Sequence, residues 1–364
     1  MAKKAWSMRP YRVGDEEQIR PLFKLVFGQP LAADRWRWQY GDNPTGRVTI
    51  TIAEGEDGTL AGQYALMPVA MKVGSVDTVG TLSLDTMVHP DYRRQGMFTK
   101  LARQAYEDLA QHGVALTYGF PNHNSYHGFV TKLGWSDLHP RIPLFAKVLR
   151  YRSTLRKKLD SAPVAYALAA AARMVSSLEL LIPHRGLPSG CAVHDVSRFG
   201  PEFDDLWDRA RGRYRVWVVR DARYLNWRYV DNPSATYERI AVYRGAEVLA
   251  YAILKSEERF GLKMGSVVDL VATEGDRALE SYLLGEALRR FRDAGLDIAS
   301  CMALEHTSVA RALLRRGFIP VPAEVYPQEL HLGATCHSTA RVSEEPMILD
   351  PTSWFITWGD HDQV

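Results

Sequence analysis

Apolar positions along the chain fall into short solid runs and helical stripes that follow one another. Leu82-Ser83-Leu84-Asp85-Thr86-Met87-Val88 is mostly apolar and stops at Pro90, the pattern of a buried strand. Phe98, Leu101, Ala102, Ala105 and Leu109 then recur at helical spacing until Gly113, which predicts an amphipathic helix closed by glycine. Val114 to Phe120 reads as another buried strand, and after Pro121-Asn122 a helical stretch runs from Ser125 to Leu133 and ends at Gly134-Trp135. Further along, Leu279, Leu283, Leu284, Leu288 and Phe291 form one apolar stripe, and Ala310, Leu313 and Leu314 another. Strands alternating with amphipathic helices make this an α/β (α+β) chain.

The pattern occurs twice. Asp34-Arg35-Trp36-Arg37-Trp38-Gln39-Tyr40-Gly41-Asp42-Asn43-Pro44 recurs, with changes, from Asp221 to Pro233; Trp38 pairs with Trp227 and Pro44 with Pro233, each at an offset of 189. Gly113 matches Gly295 at 182, and Gly134-Trp135 matches Gly317-Phe318 at 183. A period of this size predicts two related domains rather than a solenoid, and 364 residues suffice for two cores.

Between the strand at Leu82 to Val88 and the following helix lies Arg93-Arg94-Gln95-Gly96-Met97-Phe98. A helix start carries unpaired N–H groups and the positive end of the dipole, so an anion is stabilised there. Gly96 lets a phosphate approach the backbone, while Arg93, Arg94 and Gln95 supply charge and donors. This segment resembles the Gln/Arg-x-x-Gly-x-Gly/Ala signature of the GCN5-related N-acetyltransferases (GNAT), whose loop binds the pyrophosphate of acetyl-coenzyme A; Phe98 departs from it, standing where the family has a small residue. The strand, Asn122 and a helix ending in Gly134-Trp135 also resemble the family's continuation.

That resemblance implies two tandem GNAT folds, each a mixed, mostly antiparallel central sheet flanked by helices. It implies acyl-coenzyme A contacts at Met87, Val88, Arg93, Arg94, Gln95, Gly96, Met97, Phe98, Thr99, Asn122 and Phe129. Acetyl-CoA, or another acyl-CoA, is then the co-substrate, with no metal, and the acceptor is a primary amine of a small molecule such as an amino sugar, polyamine or aminoglycoside. Tyr126 is the candidate to protonate the leaving thiolate, with a core aromatic as the other reading. Asp85 is the candidate base, although Asp269 stands in nearly the same place in the second copy, so an aspartate there can equally serve structure in both. His123 is the best placed of the nearby histidines, ahead of His89 and His127. In the second copy Val271 to Ala278 replaces the phosphate turn, and Glu274 and Asp276 would repel a pyrophosphate, so the fold is kept and the cofactor site is lost.

The expected division is a GNAT domain over 1–148, a linker with an apolar helix over 149–190, a degenerate GNAT domain over 191–335 and a tail with a strand over 336–364. The Ala- and Leu-rich stretch from Ser161 to Pro183 reads as helical, and its uncharged run from Ala162 to Ala172 is too short to cross a bilayer. In the tail, Trp354 to Trp358 reads as a strand packed back on a domain, and Asp360-His361-Asp362 as a solvated end rather than a metal site.

Composition narrows the partners. Forty-six per cent hydrophobic residues, 24 per cent charged and a net charge of +3 describe an ordinary globular chain with little long-range field. The basic clusters at Arg150 to Lys158 and Arg289 to Arg292 lack interleaved aromatic platforms, so solvated faces are expected and no nucleic-acid or membrane partner. Three cysteines, Cys191, Cys301 and Cys336, share no metal spacing, and the start lacks an apolar signal segment, which points to a reducing, cytoplasmic compartment; a monomer or homodimer is expected. Two other classes stay open: a transferase using aminoacyl-tRNA on a similar tandem fold, and a non-catalytic module that senses acyl-CoA.

Overall fold

The computed structural model describes residues 4–46, 48–150, 186–259, 261–273, 277–322, 330–337 and 344–361. The first half runs β1 (Trp6–Pro10), α1 (Glu16–Phe27), α2 (Ala33–Trp36, continued by a π turn at Arg37–Gly41), β2 (Thr49–Gly55), β3 (Leu60–Val73), β4 (Val76–Val88), α3 (Met97–Gln111), β5 (Leu116–Gly119), α4 (His123–His127, continued by a π turn at Gly128–Lys132), β6 (Ser136–His139) and β7 (Leu144–Val148). The second repeats it as β8 (Cys191–Asp195), α5 (Glu202–Ala210), β9 (Val216–Val218), α6 (Ala222–Tyr229), β10 (Glu238–Arg244), β11 (Glu247–Arg259), β12 (Leu262–Ala272), α7 (Arg277–Asp293), β13 (Ile298–Met302), α8 (Ser308–Arg315), β14 (Ile319–Pro320) and β15 (Leu332–Cys336). The stretch from Ser161 to Pro183, read as helical, lies outside the described residues.

Each half builds a sheet around a long hairpin. In the first, β3 and β4 pair from Gly62–Val88 to Val73–Val76, and Gly74, at φ 61°, supplies the left-handed backbone that a two-residue turn demands. Alternation along β3 sorts its residues by face: Ala65, Met67, Val69 and Met71 enter the core between the halves, while Tyr64 and Leu66 enter a smaller cluster under α3. The stripe predicted for α3 does the same, since Leu101, Ala102, Ala105 and Leu109 all lie in that smaller cluster.

Three strands cross between the halves, β9 by pairing with β3 and β7 and β15 by insertion. β7 sits between β13 and β14, with Val148 opposite Ile298 and Phe145 opposite Pro320, while β15 sits between β5 and β6, with Gly333 opposite both Gly119 and Asp137. The orders are β1-β2-β3-β4-β5-β15-β6, with β9 added on β3, and β14-β7-β13-β12-β11-β10-β8. Neither sheet is complete without a strand from the other half. The repeated Trp38 and Trp227 meet at the centre of this exchange: their rings stack at 4.8 Å, and each indole N–H donates to the other's carbonyl, at 2.7 and 3.0 Å.

The tail differs from its expected form. Trp354 to Trp358 makes one parallel bridge, Trp354 to Val216, followed by a 3-10 turn at Trp358–Asp360. Every residue from Trp354 to His361 is buried, so the two-sided alternation of a strand edge is absent. Asp360 and His361 are therefore not solvated: Arg220 donates from Nη2 to Asp360 at 2.7 Å and from Nε to Asp269 at 2.8 Å, with all three side chains fully enclosed. Buried charges persist only when paired in this way. Asp362 lies outside the described residues. Arg289 and Arg290 lie on a helix face in ion pairs with Glu286, and no helix among the described residues is long and apolar enough to cross a membrane.

Candidate active site

The parallel pairing of β4 with β5 ends at Ser83–Gly119, but β4 continues to Val88. Gly119 is also the last residue of β5, so among the described residues β4 runs on past its partner strand. A register shift in β4 opposite Tyr64 marks the same place, and Asp85 takes a left-handed φ of 46° within it. Among the described residues the other non-glycine with such a φ is Arg94, at 62°. Left-handed backbone at a non-glycine residue is strained, and such strain is concentrated at binding and catalytic sites.

The chain leaves β4 through a 3-10 turn at Pro90–Tyr92, buries Tyr92, extends at Arg93 and enters α3 from Gly96 at φ 72°. A Cβ on Gly96 would meet no neighbouring atom, so glycine is required here by the backbone angle, and open space lies in front of the helix start. No side chain caps α3 and no acidic residue stands in its first turn. Arg93 and Arg94 are exposed with no ion-pair partner among the described residues, Gln95 and Thr99 are half-buried, and Met97 is buried. Uncapped N–H groups, the dipole and two exposed guanidinium groups thus belong to one turn that follows directly on β4.

Phe98 turns away from this opening. It meets Phe129 edge-on at 5.0 Å and Tyr64 at 6.1 Å, and its ring fills the space that a side chain on Gly128 would need. The bulk at the family's small position is absorbed by the missing Cβ of Gly128. Phe129 is itself buried against Trp135 at 4.4 Å, and Asn122 accepts from the N–H of Asn124 and Ser125 as the cap of α4. Met87 is buried and Val88 half-buried on the part of β4 that runs past β5.

The three candidate proton-transfer residues sit in different surroundings. Oδ2 of Asp85 accepts from Tyr40 at 2.5 Å and from Gln39 at 3.1 Å. Tyr126 donates to Oδ2 of Asp137 on β6 at 2.5 Å and stacks on His331 at 4.2 Å. His123 is exposed at the first turn of α4. The aspartates of the two copies have parallel partners: Tyr229, the repeat of Tyr40, donates to Asp269 at 3.2 Å. Asp269 is the more deeply held, because Tyr251, Arg220, Thr357 and the Leu270 N–H also donate to it.

The start of α7 shows what became of the equivalent site. Residues 274–276, with Glu274 and Asp276, lie outside the described residues. Counting back from Gly295 as from Gly113, Glu280 stands where Phe98 does, and its buried carboxylate accepts from Arg213 at 2.5 Å and from Ser308 at 2.7 Å. An internal carboxylate thus lies in the first turn of this helix.

On the face of the first sheet away from α3, a small, partly open cavity lies between the halves, lined by Met67, Leu82 and Tyr118 from one side and by Trp227, Arg228 and the tail from the other. Sequence reasoning missed Tyr118 and Arg228. Arg228 had one usable signal, since its counterpart in the repeat is the uncharged Gln39; Tyr118 had none.

Comparison with known proteins agrees with this architecture. Residues 7–137 match the family model described as an acetyltransferase (GNAT) domain. No curated protein matches the sequence significantly. Among solved structures, a probable N-acyltransferase from Enterococcus faecalis V583 aligns with TM-score 0.63 at 12% identity, over 91% of this chain and 72% of that one. Saccharomyces cerevisiae N-myristoyltransferase with bound myristoyl-CoA aligns with TM-score 0.57 at 11% identity, over 90% and 82%. A tandem GNAT protein from the clavulanic acid biosynthesis pathway aligns with TM-score 0.53 at 12% identity, over 92% and 99%. At such identities the likeness is one of fold. The chain therefore carries a GNAT-family domain in its first half, within a two-sheet architecture of tandem GNAT folds.

Proposed function

We propose that the chain is an acyl-CoA-dependent N-acyltransferase, with acetyl-CoA as the favoured donor and a primary amine of a small molecule as acceptor. The observation that carries this reading is the uncapped start of α3, with Gly96 and two exposed arginines, following the stretch of β4 that runs on past β5. The first half holds the donor, and the second half, through α6 and the tail, shapes the acceptor side. In the reaction, the amine nitrogen bonds to the thioester carbon, the C–S bond breaks, one N–H proton is lost and the thiolate is protonated, giving an amide and free thiol.

Roles follow from position. Arg93, Arg94, Gln95 and the N–H groups of Met97, Phe98 and Thr99 would hold the pyrophosphate, and the free edge of β4 at Met87 and Val88 the pantetheine. Asp85 is the carboxylate on the opened part of β4 and is assigned to receive the amine proton, with Tyr40 and Gln39 fixing it. Tyr126 already donates to Asp137, and a tyrosinate facing that carboxylate would be costly, so we give it a positioning role on α4 rather than that of proton donor.

Titration of acetyl-CoA by calorimetry against the native chain and Gly96→Asp tests the reading. The variant places a carboxylate where the pyrophosphate would lie and forces an unfavourable φ, and binding should fall by about a hundredfold or more. Equal affinity in the two proteins would remove the turn from the donor site.

A further inference from the structure

We propose that the cavity between the halves binds the acceptor and selects an amine that also carries a carboxylate, gripped by the Arg228 guanidinium and the Tyr118 hydroxyl; the acceptor role rests on the acyl-transfer reading above. Almost every other polar group of the wall that the fold fixes is already taken. Asn43 donates to the Pro68 carbonyl and accepts from Thr45, Thr45 accepts from Ala70, and Tyr224 donates to the Gly359 carbonyl. Asp360 accepts from Arg220 with both oxygens and from the Thr357 N–H.

Arg228 and Tyr118 differ from these. Arg228 is 4% exposed and Tyr118 1%. The guanidinium donates from Nε to the Gly359 carbonyl at 3.1 Å and from Nη2 to the His361 carbonyl at 2.5 Å, and lies over the Trp38 ring at 5.8 Å. Its Nη1 has no acceptor, and no carboxylate forms an ion pair with it among the described residues. Tyr118 likewise has no hydrogen-bond partner there, and burial holds its phenol protonated, so it is a donor. Both of its hydrogen-bond acceptors are neutral, the Asp360 carboxylate acts on it only through space, and a planar anion is the ligand its free edge fits. Two donors facing one enclosed space call for one acceptor group with two lone-pair sites, which a carboxylate provides.

Location joins this grip to the reaction. Leu82–Tyr118 is the pair just before the last one, so a carboxylate held there leaves the amine end of the ligand to reach the part of β4 beyond β5 at Asp85. Met67, Val69 and Leu82 offer an apolar wall to the part between. The class is thus an amino acid or similar carboxylated amine with an apolar spacer. The second sheet lacks the pair: Ser266–Ser300 occupies the equivalent place, its hydroxyls bonded to each other at 2.8 Å, and Gln39 stands for Arg228.

The test uses matched probes, hexylamine with 6-aminohexanoate and cadaverine with lysine, titrated by calorimetry into the full chain, with thiol release from acetyl-CoA followed separately. The carboxylated member should bind about tenfold tighter or more. Tyr118→Phe and Arg228→Lys should each reduce that preference while leaving acetyl-CoA affinity as in the native chain. Tyr118→Phe keeps the ring in the core and so guards against misfolding. Equal binding within both pairs, binding of no member, or an unchanged preference in Tyr118→Phe would overturn the proposal. Tight binding of the carboxylated probes without thiol release would instead sink the acyl-transfer reading and leave the carboxylate site standing.

Discussion

The two halves share one chain path and differ in what fills the end of it. In the first, α3 begins at an uncapped glycine with two free arginines in front; in the second, α7 carries the Glu280 carboxylate in its first turn, bound to Arg213 and Ser308. In the first, Asp85 is half-buried on the part of β4 beyond β5; in the second, its counterpart Asp269 is enclosed and ion-paired. A fold that leaves donors open at the helix start in one copy holds its own carboxylates in the other. Duplication lets one copy become rigid scaffold while the other keeps strain and open donors, which stabilise only a ligand.

The sharpest way to break this comparison is to make the same change in both copies. Asp269→Asn leaves Arg220 paired with Asp360 but takes a charged acceptor from Arg220, Tyr229 and Tyr251 in an enclosed site, and should cost about 3 kcal/mol in urea unfolding. Asp85→Asn should cost about 1 kcal/mol or less in the same measurement, yet lower kcat by about a hundredfold or more with acetyl-CoA affinity unchanged. Equal stability losses would mean the two aspartates do the same work.

Acid separates the halves next. His337, bonded to Thr117 at 2.8 Å in the first sheet, is pushed by burial to a pKa of about 4. The pair in the comparable place of the second sheet is Gly265 and Ala299, neither of which carries a polar side chain to bond a titrating group. In the unfolded chain the imidazole returns to its ordinary value, so between pH 6.5 and 4 the unfolded state takes up the extra proton. Stability is full above that window and falls as pH drops through it, by about 3 kcal/mol in all. His337→Gln should flatten this slope, read from urea midpoints at pH 7 and 4.5.

The smallest effect concerns the bulky residue at the start of α3. Gly128→Ala sets a Cβ 2.7 Å from the Phe98 ring and should destabilise by about 1–3 kcal/mol. In a Phe98→Ala background that cost should largely vanish, and a cost that stays the same in thermal unfolding would show that the two positions are not matched.

Local chemistry made part of this legible in advance. The Arg93 to Phe98 turn, the stripe through Leu101 and Leu109 and the repeat at Trp38 and Trp227 each depend on neighbours in sequence, so periodicity and spacing expose them. The tail misled because Trp354 to Trp358 alternates in hydropathy, yet both its faces are covered by chain remote in sequence. Asp360 read as solvated for the same reason, its partner Arg220 being 140 residues away.

The amino-acid sequence by itself determined that the chain folds twice on one plan and that one copy carries a glycine- and arginine-bearing turn before its helix, because both follow from short-range pattern and backbone preference. Tertiary structure alone decided that β7 and β15 change sheets, that Trp38 and Trp227 stack on each other, and that Tyr118 and Arg228 share a cavity wall. Strand partners and cavity walls are chosen by burial between distant segments, and no local spacing records which distant donor will be left without an acceptor.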